Sequence, residues 1–161
     1  MMKRESKVLI EELIKGINAL RPEDKGAWGK MNVSEMLLHC SRFIDLYLGE
    51  ISVPSWYKFF GISIGRLFLW YVSKLDPIKT PRNLRTDNRI KVSGTTFNFE
   101  ENKALLLKNV SRLNQLNGIV NHPIYGRMTS EKIIFLIWHH TSHHLNQFGI
   151  NKKEQNKKPT H

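Results

Sequence analysis

Four of the seven histidines in this chain fall within six residues, His139, His140, His143 and His144, in the run WHHTSHHLNQF. Neutral imidazole is the commonest protein ligand for transition metals. In a helix, the i,i+4 spacing of His140 and His144 stacks two rings on one face. At about 100° per residue, Ile133, Ile137, His140, His144 and Phe148 share one narrow sector, with Gln147 at its edge. His143 lies further round, and His139 points away as a surface residue. A buried imidazole needs a hydrogen-bond partner or a metal. One such histidine reads as a satisfied core or surface residue; two stacked on an apolar face favour a metal.

Two ligands do not close a site. A catalytic zinc-type centre takes about three protein ligands and keeps one position open. The single cysteine, Cys40, provides neither a disulfide framework nor a thiolate cage, so the third ligand must be histidine or carboxylate. His39 is the natural candidate, on the flank of an apolar stripe beside Met36, Phe43 and Leu46. His122, in a turn before Pro123, is the rival. Glu35 and Asp45 are weaker rivals, since Glu35 already has a helix-capping role.

The elements that must position these residues are mostly helical. Val8, Leu9, Leu13, Ile14, Ile17 and Leu20 predict a helix from about Ser6 to Leu20, which Arg21-Pro22 ends. Asn32 is a good N-cap, with Glu35 in capping-box position, for a second helix striped by Val33, Leu37, Cys40, Ile44 and Tyr47 and closed by Gly49. Pro54 opens a further segment, Ser55 to about Lys74, which Gly61 and Gly65 allow to bend. Asp76–Gly94 reads as a long irregular connection. A helix follows from Asn98 or Phe99 to Leu116, and Thr129 caps a last one that runs to Phe148. His122–Gly126 is a turn. Arg89–Phe97 is the only strand candidate, short and isolated. The expected fold is an all-α bundle over residues 1–150, with a disordered basic tail over 151–161.

Length and composition suit one globular domain with an ordinary apolar fraction of 40%. No secretory signal is apparent. The most apolar window, Phe59–Val72, is interrupted by Arg66 and is shorter than the roughly 20 residues that span a bilayer. A cytoplasmic protein without a transmembrane segment is expected. The net charge is +11, and Lys58–Lys91 carries eight Lys/Arg against two Asp. Such a segment can meet nucleic acid or another anion, but no aromatic-basic nucleic-acid signature accompanies it, so a solvated basic surface is the better reading. Phe59, Phe60, Phe68, Trp70 and Tyr71, with nearby Lys and Arg, are the material of a membrane-surface helix. A place in the core or in a dimer interface is the plainer expectation for them.

His39 late in the second helix, and HxxxHxxQ in the last (His140, His144, Gln147), resemble the DinB/YfiT-like superfamily. The stretch HPIYGRMTSEKIIFLIWHHTSHHLNQFG, with TPRNLRTD (Thr80–Asp87) and the Phe99-Glu100-Glu101 helix opening, resembles an uncharacterised branch known only as a domain of unknown function. The likeness spans about Val8 to Gly149. It implies a four-helix bundle with a long connection, about residues 50–97, that carries an extra helical segment. It implies His39, His140 and His144 as ligands of a divalent metal, Zn or Ni foremost and Mn or Fe after them, with one open position. Gln147 would orient a ligand or line the pocket, and His143 would lie beside it. Ser142 departs from the branch pattern, which carries an acidic residue there. Members of the superfamily include transferases of low-molecular-weight thiols, such as bacillithiol, mycothiol or glutathione, and hydrolases. The resemblance therefore implies a metal-dependent enzyme acting on a small molecule, either a thiol S-transferase or a small hydrolase. The alternative is a basic helical module that binds nucleic acid or another anionic partner without catalysis. A homodimer is compatible with either.

Overall fold

The computed structural model describes residues 2–82, 88–92 and 98–150. The expected tail, most of the Arg89–Phe97 strand candidate, part of Thr80–Asp87 and the Phe68 side chain lie outside the described residues. The fold is mainly helical, with one small antiparallel sheet. In chain order the elements are α1 (Met2–Asn18), α2 (Val33–Tyr47), α3 (Ser55–Phe60), α4 (Arg66–Val72), α5 (Phe99–Arg112), β1 (Ile119–His122), β2 (Gly126–Thr129) and α6 (Ser130–Gln147). A π-helical turn, Gly61–Gly65, joins α3 to α4, and a 3-10 turn, Leu113–Gln115, extends α5.

Each long helix buries the stripe its sequence period dictates. α1 packs against α5 and α6, and so does α2. Ile10, Leu13 and Ile17 of α1 meet Leu37, Cys40 and Ile44 of α2, Leu106 and Val110 of α5, and Ile133 and Ile137 of α6 in one core. Val8 departs from expectation: it is exposed, and Ile10 takes the buried place.

Side chains close the helix ends, where backbone N–H groups lack helical partners. Asn32 accepts from the Glu35 N–H and Glu35 accepts from the Asn32 N–H, a complete capping box. Asn98 accepts from the Glu100 and Glu101 N–H groups at the start of α5, and Thr129 from the Lys132 N–H at the start of α6, with no reciprocal bond among the described residues. Gly49 and Gly149, just past α2 and α6, adopt φ of +82° and +75°, where a side chain would be strained.

The hairpin corrects the all-α expectation. Ile119 pairs with Thr129 and His122 with Gly126. The expected turn at His122–Gly126 is its tip. The tip sits on the π turn: a side chain at Gly61 would collide with the backbone of Ile124, and one at Gly65 would come 2.8 Å from the Tyr125 ring.

Candidate metal centre

His39 sits two turns into α2, beside the buried stripe, and is itself buried. Its Nδ1–H donates to the Ile90 carbonyl, 2.8 Å away. Arg42, three residues on, donates to the Lys91 carbonyl. Two side chains of α2 thus hold the 90–91 backbone, and the first of them leaves the His39 Nε2 lone pair uncommitted.

That nitrogen faces His140 of α6. The two Nε2 atoms are 3.2 Å apart. His144 completes the group: ligand atoms of His39, His140 and His144 lie within 4.8 Å of one another. Two imidazole nitrogens on one ion at about 2.0–2.1 Å and a tetrahedral angle are about 3.3 Å apart. The His39–His140 spacing fits that geometry. His144 Nδ1–H donates to Gln147 Oε1 at 2.8 Å, which fixes its tautomer and leaves Nε2 as the ligand atom. Gln147 in turn donates to the Trp28 carbonyl, so the loop before α2 is tied to the end of α6. Phe43 lies flat on His140, centroids 3.7 Å apart.

The donor set suits a transition metal. Burial holds all three imidazoles below their usual pKa. His140 is pushed well down, with the neighbouring His144 and His39 adding to the effect. His144 is brought to about 3, chiefly by burial. All three are therefore neutral at pH 7, as ligation requires. His140 Nδ1 is buried with no hydrogen-bond partner among the described residues. Because His39 carries its proton on Nδ1, the 3.2 Å contact is a hydrogen bond without a metal only if His140 is protonated on Nε2, and a bare Nδ1 is then left buried on His140. A metal between the lone pairs would put the His140 proton on Nδ1, which has no acceptor among the described residues, so this nitrogen is unsatisfied in either state and the fit rests on the convergence of the three ligand atoms. His140 and His144 both keep partly accessible surface, so the group is not sealed.

The rivals are engaged elsewhere. His122 is buried at the hairpin tip, where Nδ1 accepts from the Ile124 and Tyr125 N–H groups at 3.0 and 3.2 Å. Asp45 accepts from Asn109 and lies 3.7 Å from Arg112, on the α2–α5 side. Glu35 is in its capping box. Cys40, next to His39, is a buried thiol whose pKa burial raises to about 12, so it offers no thiolate.

Residues 9–151 match the model of a family described as “Protein of unknown function (DUF1569)”. The chain belongs to that family. Comparisons with curated proteins and with solved structures gave no match. In this DUF1569 member the matched span includes all three histidines of the group, and the expected membership of an uncharacterised domain family holds.

The other two histidines of the cluster correct the helical-wheel expectation in one respect. His139 is not a surface residue; it is only 3% exposed. The stretch after α4 lies over it: the Leu75 carbonyl is 3.0 Å and the Thr80 hydroxyl 3.3 Å from its Nε2. His143, partly exposed, donates from Nδ1 to the Pro77 carbonyl at 3.0 Å and lies outside the three-histidine group. The run therefore contains two i,i+4 pairs. His140/His144 faces His39, and His139/His143 fastens residues 75–80 to α6. The doubled spacing in HHTSHH was the available signal for the second pair. The Ile90 carbonyl had none, because any residue supplies one.

Proposed function

We propose that this DUF1569 member is a metal-dependent enzyme in which His39, His140 and His144 hold a divalent transition metal, on a four-helix bundle of the DinB/YfiT-like type. Zn or Ni are the favoured metals, ahead of Mn and Fe, because the donors are three neutral imidazoles with no thiolate or carboxylate among them. The observation that carries this reading is the convergence of ligand atoms from residues 101 positions apart, at 3.2 Å for the first pair.

A metal held by three protein ligands supplies Lewis acidity, lowering the pKa of a water or of a small thiol in an open position. The chain's own groups prepare the site for it. Ile90 and Gln147 hold two imidazoles in the tautomer that presents Nε2. Phe43 covers one face of the third and excludes water there. Either a thiol S-transferase or a small hydrolase is consistent with such a centre, and a small molecule is the substrate in both cases.

Elemental analysis of the purified protein tests this. About one equivalent of Zn, Ni, Mn or Fe per chain is expected. A His140→Ala/His144→Ala variant should lose the metal while its circular dichroism stays helical. Protein that purifies without metal, and whose melting temperature is unmoved by any of the four added ions, would rule the centre out.

A further inference from the structure

The helical segment from α3 to α4 is apolar on both sides, and only one side is covered. A helix that is hydrophobic all round is normally buried. Here the inward stripe, with Tyr57, Gly61, Gly65 and Leu69, rests in part on the hairpin tip: Ile124 and Tyr125 fit against the two glycines, and Leu69 is buried. The outward stripe is open to solvent. Phe59 is 75% exposed, Leu67 69%, Ile64 67% and Trp70 62%. These side chains are therefore outside the core of the single chain, so of the plainer expectation for this stretch, core or dimer interface, the first part does not hold. With the exposed Trp56 they form one continuous apolar strip, the kind of surface that marks an interaction site.

Charge decides what covers it. From Ile51 to Leu75 the chain carries Lys58, Arg66 and Lys74 and no Asp or Glu. Lys58, Arg66 and Lys74 are exposed on the same segment, Arg66 with one guanidinium nitrogen toward the Arg127 carbonyl of the hairpin, and the whole chain has a net charge of +11. A second copy laid on this strip about a two-fold axis would set three cations against the same three, with no carboxylate in the segment to pair them. An anionic lipid surface meets both features: its acyl boundary takes the aromatic and aliphatic side chains, and its headgroups pair the flanking Lys and Arg.

We propose that Ser55–Val72 is an interfacial helix that docks the protein on anionic membranes. It lies in the plane of the headgroups and does not span the bilayer; no helix among the described residues is long and apolar enough to cross one. This surface is independent of the metal centre, and either reading can stand without the other.

Vesicle flotation of the full chain tests the proposal. The protein should float with vesicles of mixed phosphatidylglycerol and phosphatidylcholine and stay behind with phosphatidylcholine alone. Ile64→Ser/Leu67→Ser leaves every charge in place and should abolish flotation. Brominated lipid should quench the wild-type tryptophan fluorescence, and Trp56→Phe/Trp70→Phe should lose that quench. Wild-type protein that does not float overturns the proposal. So does equal flotation of the serine variant, which would mean adhesion by charge alone. A dimer in sedimentation velocity that the serine variant dissolves also overturns it, in favour of a second copy.

Discussion

At the scale of single residues, the candidate centre depends on what the non-ligand nitrogens do. Two of the three Nδ1 atoms have neutral acceptors, the Ile90 carbonyl and the Gln147 amide oxygen. Neither is the carboxylate that often backs a metal-bound histidine, and Ser142 supplies none. A neutral acceptor orients the ring without making it much more basic. Gln147 is the one such partner that mutagenesis can remove, because Ile90 acts through its backbone. Gln147→Leu keeps the volume and deletes the acceptor, so metal affinity should fall about 10- to 100-fold. Chelator competition reads this directly. Because Gln147 also ties down the Trp28 loop, the melting temperature of the metal-free variant must be measured beside it. Affinity unchanged while the melting temperature falls would leave Gln147 a purely structural residue. The His140/His144 pair and its inward direction were legible from helical period alone. His39 was legible as a candidate and not as a partner, because its position on the flank of α2 becomes a position in the site only once α2 and α6 pack.

At the scale of elements, capping chemistry was plain in the sequence. Asn32 with Glu35, Asn98 and Thr129 each mark a helix start within a residue or so of its observed place. The hairpin was not plain. Its strands are four residues each, too short for alternation to show, and one of them begins with glycine. The glycines of GISIG read as places to bend. Their function is close approach: Gly61 and Gly65 leave room for Ile124 and Tyr125. A methyl group at Gly61 meets backbone, which cannot rotate away as a side chain can. Gly61→Ala should therefore destabilise the protein by about 1–3 kcal/mol, the usual cost of overpacking, despite the better helix propensity of alanine. Urea unfolding measures it. Wild-type stability in that variant would mean the hairpin tip can withdraw from the segment at little cost.

At the scale of the whole molecule, the domain was legible as mainly helical because apolar stripes of the right period recur in every long helix. Which surfaces that packing leaves open was not legible, since the aromatic run Phe59–Tyr71 has the same composition whether buried or bare. The same burial that builds the core also makes the molecule sensitive to acid. His122 shows this away from the metal centre. It is buried against Tyr47 and Tyr125, with Nδ1 accepting two backbone N–H groups. Its proton therefore sits on Nε2, which has no partner among the described residues. Burial lowers its pKa from 6.5 to about 4. A folded-state pKa below the unfolded one means that the unfolded chain takes up the proton first as pH falls. The stability is present above about pH 6.5 and is lost progressively toward pH 4. For His122 alone that loss amounts to about 3 kcal/mol. His122→Asn keeps an acceptor for the hairpin tip and removes the titrating ring. Urea unfolding at pH 7 and pH 4, with chelator present so that metal release does not contribute, should show a smaller loss of stability in His122→Asn than in the wild type. Equal losses in the two proteins would place the acid sensitivity in the other buried histidines and remove His122 as a source of it.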